Sequence, residues 1–308
     1  MLDRVIDINY YPVPQAASAN SRRRPVGLGV MGLQDVFFQL RLAFDSPEAR
    51  RLSAKIQEEI YYHALSVSCD LAEQNGSHAA FAESRAASGE FQFDLWGFTP
   101  EEMTRWEKLR ERIGKFGLRN SLMIAIAPTA TIASIAGCYE CIEPQISNLF
   151  KRETLSGEFM QINRYLVQEL KQLGLWSEAM RTRIKLAEGS IQGIEEIPED
   201  VRSIYRTVWE VPMRSLIDMA ADRGVFIDQS QSLNLFAESP NIGRLSSMYM
   251  CAWKRGIKTT YYLRSRPATK IAKTTVSAIA RERSVPSMNA SAGVTCSLDN
   301  PETCEACQ

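Results

Sequence analysis

Two pairs of cysteines stand at the spacing that redox and metal chemistry share: Cys138-Tyr139-Glu140-Cys141 in mid-chain, and Cys304-Glu305-Ala306-Cys307 among the last five residues. A pair so spaced can exchange dithiol for disulfide, because the second thiol resolves the mixed disulfide that the first one forms. Together the two pairs could instead offer four thiolates to zinc. They lie more than half the chain apart, and the two histidines, His63 and His78, fall in or just after a helical stretch away from both pairs. That favours redox work over a metal, above all for the terminal pair. From Arg264 to Cys304 the chain is rich in Ser, Thr, Ala, Asn and Pro, and about 40 such residues span roughly 35 Å as a flexible coil. A thiol on that tether reaches both a buried site and the surface. A disordered end with incidental cysteines is the plainer alternative.

Three further stretches carry candidate chemistry. Tyr261-Tyr262, inside "IKTTYYLRS", offers one-electron transfer, since tyrosine can lose a proton and an electron together. Adjacent residues of a regular strand point to opposite faces, so the plain expectation is one core and one surface ring. Radical transfer would need the rings close, hence a local departure from the pleat. Tyr10-Tyr11 and Tyr61-Tyr62 show that the dipeptide alone proves nothing. "LRNSLMIAIAPTATIASI" reads as a buried strand, a Pro-Thr-x-Thr turn and a helix start. Free N–H groups and threonine hydroxyls there suit a phosphate, or simply cap a loop that binds nothing. Gly27-Leu28-Gly29-Val30-Met31-Gly32 matches the dinucleotide fingerprint letter for letter. It follows Arg22-Arg23-Arg24-Pro25 rather than an apolar strand, and Asp45 sits beside Ser46-Pro47 at a helix cap. A glycine-rich strand is the better reading. A nicotinamide-dependent oxidoreductase is the rival enzyme, and a zinc-stabilised interaction module the non-enzyme alternative.

The elements that must position these residues alternate. Ser46-Pro47-Glu48 opens a helix, and Leu52, Ile56, Ile60, Ala64, Val67 and Leu71 hold helical spacing until Asn75-Gly76. Thr99-Pro100-Glu101-Glu102 forms a capping box before Met103, Trp106 and Ile113. Amphipathic stretches follow at about Glu158–Leu173, Ser177–Ala187, Glu199–Val208, Met213–Asp222 and Arg244–Lys254. Between them lie β-type runs at Val26–Met31, Ser121–Ala127, Val225–Asp228 and Lys258–Leu263. Strands alternating with such helices predict βαβ units and a parallel sheet. Lysine plus arginine balances aspartate plus glutamate at 36 each, which speaks against a nucleic-acid or membrane surface. No apolar run approaches the roughly 20 residues that span a bilayer. Seven scattered cysteines suggest free thiols in a reducing cytoplasm. The abrupt opening suggests that a further domain lies outside this chain.

Taken together, these stretches resemble the large (α) subunit of class I ribonucleotide reductase, in its C-terminal part. The resemblance rests on "LRNSLMIAIAPTATIASIAGCYECIEPQISNLFKRETLSGEF", "FIDQSQSLN", "GIKTTYYLRSR", "YYPVPQ" with "RRRPVGLGVMGLQD", and the cysteine-bearing end. It implies an α/β fold, the second half of a ten-stranded α/β barrel over residues 1–264, with a flexible redox-active tail over 265–308. It implies a cytoplasmic enzyme that reduces ribonucleoside diphosphates to 2′-deoxy products by a radical route. By that resemblance Pro128, Thr129, Ala130, Thr131 and Ile132 bind the substrate diphosphate. Some relatives carry a carboxylate where Ala130 stands, so backbone N–H groups are expected to do most of that binding. Tyr261 and Tyr262 pass on the oxidising equivalent from a small, metal-containing radical-generating subunit. Cys304 and Cys307 re-reduce the active site and are themselves reduced by thioredoxin or glutaredoxin. No metal or cofactor is expected on this chain, and nucleotide effectors (ATP or deoxynucleotides) would bind an upstream portion. One departure matters: the family's Asn-x-Cys-x-Glu finger loop, with its thiyl-forming cysteine, is absent. Tyr139–Glu143 looks like it superficially but lacks the asparagine. The chain is therefore expected to be inactive alone, to need an N-terminal portion, and to expose unpaired strand edges and apolar surface without it.

Overall fold

A computed structural model describes residues 1–154 and 157–266. The tail bearing Cys304 and Cys307 lies outside the described residues. In chain order the helices are α1 (Leu2–Ile8), α2 (Pro14–Arg23), α3 (Leu33–Gln39), α4 (Pro47–Asn75), α5 (Gln92–Leu95), α6 (Met103–Phe116) and α7 (Ala130–Ala136). The hairpin β1 (Leu149–Thr154) and β2 (Gly157–Ile162) comes next. It is followed by α8 (Arg164–Gln172), α9 (Glu178–Leu186), α10 (Glu199–Ile204), α11 (Met213–Gly224), β3 (Leu235–Phe236), α12 (Ile242–Lys254) and β4 (Leu263–Arg264).

The frame is a set of parallel extended segments lying side by side in chain order. Leu28 bridges Ile124, and Ile126 bridges Gln231, both parallel. Downstream of Gln231, β3 pairs in parallel with β4, Leu235 against Leu263. Parallel neighbours need long crossovers, and the chain supplies them: α3–α6, then α7–α11 with the hairpin, then α12. This is α/β architecture of the kind expected for part of a barrel wall. The main core fills the space between these segments and the inner faces of α4, α6, α11 and α12, with Trp106 and Phe226 among its fully buried rings. A second core under α8–α10 is closed by Phe38 of α3, whose ring stacks on Tyr205 at 4.9 Å.

Helix α4 starts and stops where the sequence says it should. Ser46 Oγ accepts from Ala49 N at 3.1 Å, and Gly76, at φ +80°, ends it. Its core face is displaced by one position from expectation: Ala49, Ser53, Gln57, Tyr61, Leu65 and Cys69 are buried. The expected stripe lies beside it. Ile60, Ala64, Val67 and Leu71 line an apolar groove of about 580 Å³ with Val26, Leu28 and Met123. Among the described residues no strand covers the outer edge of the Leu28 segment.

Three sequence expectations need correction. The capping box at Thr99 does not form. Helix α6 begins at Met103, because the Glu102 carboxylate turns toward Lys55 and Arg105 instead of back to Thr99. The stretch from Glu158 is not helical at first: β2 occupies it, and Asn163 then caps α8 through Tyr165 N and Leu166 N. Val225–Asp228 is a turn rather than a strand, closed by Phe226 N donating to Arg223 O and Ile227 N to Gly224 O. Its apolar side chains fill the core beneath the end of α11.

Candidate functional site

The Pro-Thr loop leaves the end of a firmly held segment. The Asp228 carboxylate accepts from Met123 N and Ile124 N at 2.8 Å each, which places the next residues at the segment's C-terminal end. There Thr129 adopts φ +56°, a left-handed backbone uncommon for a β-branched residue. It is the residue before α7, and its Oγ1 accepts from Cys141 N at 2.8 Å while its carbonyl accepts from Ala133 N. Pro128, Ala130, Thr131 and Ile132 are exposed. The N–H groups of Ala130, Thr131 and Ile132 open a helix, where helical geometry supplies no acceptor.

The mid-chain cysteines belong to the support of this loop. Cys141 is buried, with Sγ 3.7 Å from Ser232 O, and burial pushes its thiol up to about 12. Burial also raises the thiol of Cys138, which packs against Gly32. Raised thiols are poor sources of thiolate, the form that both exchanges disulfides and binds metal.

Two residues on, Glu143 joins the loop's support to the tyrosines. Its Oε1 accepts from Asn234 N at 3.2 Å, and burial raises its carboxyl. The side-chain oxygen of Asn234 in turn accepts from Tyr262 N at 3.1 Å. The rings of Tyr261 and Tyr262 lie 4.2 Å apart between centroids, inclined by 56°, and both are about half exposed. The neighbouring Tyr262 side chain raises the Tyr261 phenol above its ordinary value. The backbone shows how neighbours in one strand come together. Leu235 N donates to Tyr262 O, so the carbonyl of Leu233, two residues earlier, should receive Tyr262 N in a regular parallel ladder. It receives Tyr261 N instead, at 2.7 Å. The tyrosine strand therefore holds one extra residue there, a bulge that re-aims a side chain.

Lys258 anchors the start of that strand by donating to the carbonyls of Ile227, Asp228 and Gln229. Behind the loop, buried Arg223 donates to Gln231 Oε1 at 2.8 Å, and burial pushes its guanidinium down to about 10. Glu143, Asn234, Arg223, Asp228 and Lys258 escaped the sequence reading. Their signal is weak: Asp228 and Asn234 alone belong to a mostly polar stretch, Asp228 to Asn234, broken by Leu233.

The glycine fingerprint has another use. A Cβ on Gly29 would sit 2.7 Å from Ala125 O, so this glycine lets two segments approach. The start of α3 is occupied by its own Asp35, whose Oδ2 accepts from Tyr139 N at 2.6 Å. A carboxylate there opposes a pyrophosphate. Asp45 is engaged by Arg206 at 2.7 Å.

Residues 1–263 match the family model of the ribonucleotide reductase barrel domain. The chain is 43% identical to the ribonucleoside-diphosphate reductase large chain of Schizosaccharomyces pombe, over 99% of this chain and 41% of that one. It is 45% identical to the large subunit of Arabidopsis thaliana over 99% of this chain and 39% of that one. With the Caenorhabditis elegans large subunit it shares 48% identity over 89% of this chain and 35% of the relative. Among solved structures, the Actinobacillus ureae class Id ribonucleotide reductase alpha subunit superposes with a TM-score of 0.67 at 24% identity, covering 86% of this chain and 44% of that one. The chain thus spans about two fifths of the length of the first two of these relatives.

Proposed function

The chain belongs to the ribonucleotide reductase family, within its barrel domain, and from that premise we propose that it supplies three working parts of a ribonucleoside-diphosphate reductase. The first is the loop Pro128–Ile132, whose open N–H groups hold the substrate's diphosphate. The second is the Tyr261–Tyr262 pair, which passes the oxidising equivalent from a small radical-generating subunit toward the substrate. The third is the tail dithiol, Cys304 and Cys307, which restores the active site after each turnover and is recharged by thioredoxin or glutaredoxin. Transfer between the rings balances simply: one tyrosine gives up a proton and an electron to its oxidised neighbour, and the neighbour returns to the phenol.

The observation that carries this reading is the contact of the two half-exposed rings across a bulge. A strand of regular pleat would hold them apart, so the departure needs a use. The Asn-x-Cys-x-Glu loop that would carry the thiyl-forming cysteine has no counterpart in this sequence, since Tyr139–Glu143 lacks the asparagine. The chain accordingly works with an N-terminal portion, in the cytoplasm, on ribonucleoside diphosphates. No helix of the described residues is long and apolar enough to cross a membrane.

The test combines the chain with the N-terminal portion of the large subunit, the small subunit and a dithiol. Turnover is expected only from the full mixture. Tyr261→Phe and Tyr262→Phe are each expected to abolish it while nucleoside diphosphate binding persists, because phenylalanine cannot be oxidised at accessible potentials. Turnover by the isolated chain, or by either phenylalanine variant, would refute the assignment.

A further inference from the structure

The bulge at the tyrosine pair leaves one backbone donor without a ladder partner. Leu233 O takes Tyr261 N, and Leu235 N goes to Tyr262 O, so Tyr262 N faces no strand carbonyl. An N–H left that way forfeits a hydrogen bond, which favours slipping back to the regular pleat. Asn234 fills the gap, its Oδ1 3.1 Å from Tyr262 N. The side chain that does this is held in turn. Asn234 is 3% exposed, and its own N–H donates to Glu143 Oε1 at 3.2 Å. The glutamate thereby holds the backbone of Asn234 in place while the side-chain oxygen reaches Tyr262 N.

We infer that Asn234, seated by Glu143, is the positioning residue that stabilises the bulge and so keeps the rings of Tyr261 and Tyr262 in contact. A flipped amide would set two donors against each other at Tyr262. The same chain of contacts continues through Cys141 to Thr129. The tyrosine pair and the Pro-Thr loop are therefore seated on one short segment, Cys141 to Glu143. The functional weight of this inference rests on the radical-transfer reading, whereas its geometry does not.

The geometry is tested on the whole 308-residue chain by ring-labelled tyrosine NMR, reading the inter-ring contacts of Tyr261 with Tyr262 and the exchange rate of the Tyr262 amide. Asn234→Ala is expected to abolish the inter-ring contacts and to speed Tyr262 exchange about tenfold, the worth of one net hydrogen bond. The swap Asn234→Asp with Glu143→Gln reverses the amide and carboxylate but keeps an oxygen toward Tyr262, and is expected to restore both signals. Unchanged ring contacts and exchange in folded Asn234→Ala would overturn the inference. If that variant does not fold, the swap decides: restored contacts support the inference, and a folded swap without them overturns it. In the reconstituted complex, Asn234→Ala should lower kcat with KM unchanged. A wild-type complex that fails to turn over would sink the functional reading while leaving the NMR result standing.

Discussion

Gly29 and Gly27 offer a matched pair of substitutions that separates packing from cofactor binding. Neither glycine needs the left-handed backbone, so alanine is conformationally acceptable at both. By restricting the unfolded chain it should even add about 0.4–1 kcal/mol at a compatible site. At Gly27 the new Cβ would lie 3.4 Å from the Ala125 Cβ, an ordinary contact. At Gly29 it would lie 2.7 Å from Ala125 O and 3.5 Å from both Ala127 N and Ile126 Cα. These are backbone atoms of a neighbouring segment and cannot swing aside. The two segments must part, at about 1–3 kcal/mol for overpacking. Parting also weakens the bonds from Leu28 N to Met123 O and from Ala125 N to Leu28 O, each worth about 1 kcal/mol. Gly29→Ala should therefore be less stable than Gly27→Ala by about 3 kcal/mol. With a urea dependence of about 3 kcal/mol per molar, the midpoints should differ by about 1 M. Fluorescence of buried Trp106 reports the transition. Equal midpoints would refute the close approach of these segments. A stable Gly29→Ala chain that had lost binding of a nicotinamide cofactor would revive the dinucleotide reading.

Other expectations follow from single contacts. Burial pushes the Asp3 carboxyl up, yet Arg24 at 2.8 Å, with Arg119, holds it below its ordinary value. Its stabilisation is complete above the unfolded value of about 3.9 and is lost as pH falls through the lower folded value. Asn at position 3 should flatten that acid limb and lower stability at neutral pH by about 3 kcal/mol, read by urea titration at several pH values. Lys258→Met leaves three carbonyls without their cation and should cost about 2 kcal/mol in urea denaturation, with the Tyr261–Tyr262 ring contacts weakened by NMR. In the reconstituted enzyme, Cys304→Ser with Cys307→Ser should abolish turnover driven by thioredoxin but spare turnover driven by a small dithiol. Equal loss with both reductants would disprove the shuttle.

Local signals in the sequence are legible where one short stretch contains both partners. Ser46, Pro47 and Gly76 bound α4 because cap, first-turn proline and left-handed stop all act within a turn of the residues they serve. The need for a broken pleat at Tyr261–Tyr262 was legible too, since alternation is a property of the strand itself. How the break is held was not. Glu143 and Asn234 are 91 residues apart, and neither residue type nor spacing announces a contact of that range. The Thr99 box failed for a related reason: distant Lys55 drew Glu102 outward. Val225–Asp228 misled because a short apolar run looks alike in a buried strand and in a turn that plugs the core.

The buried face of α4 carries Ser53 and Gln57 while a more apolar stripe lies beside it, so hydrophobicity alone does not select between two rotational settings, one residue or about 100° apart. Polar partners remove the degeneracy. In the observed setting Glu58 accepts from Arg105 and from Trp106 Nε1, Tyr61 OH accepts from Gln92 N, and Ser68 Oγ exchanges hydrogen bonds with Asn120. Turning Ile60 and Val67 inward would strand all of these partners at about 1–3 kcal/mol each. The longest helix of the described residues is thus indexed like a key, its depth set by apolar contact and its angle by a few hydrogen bonds.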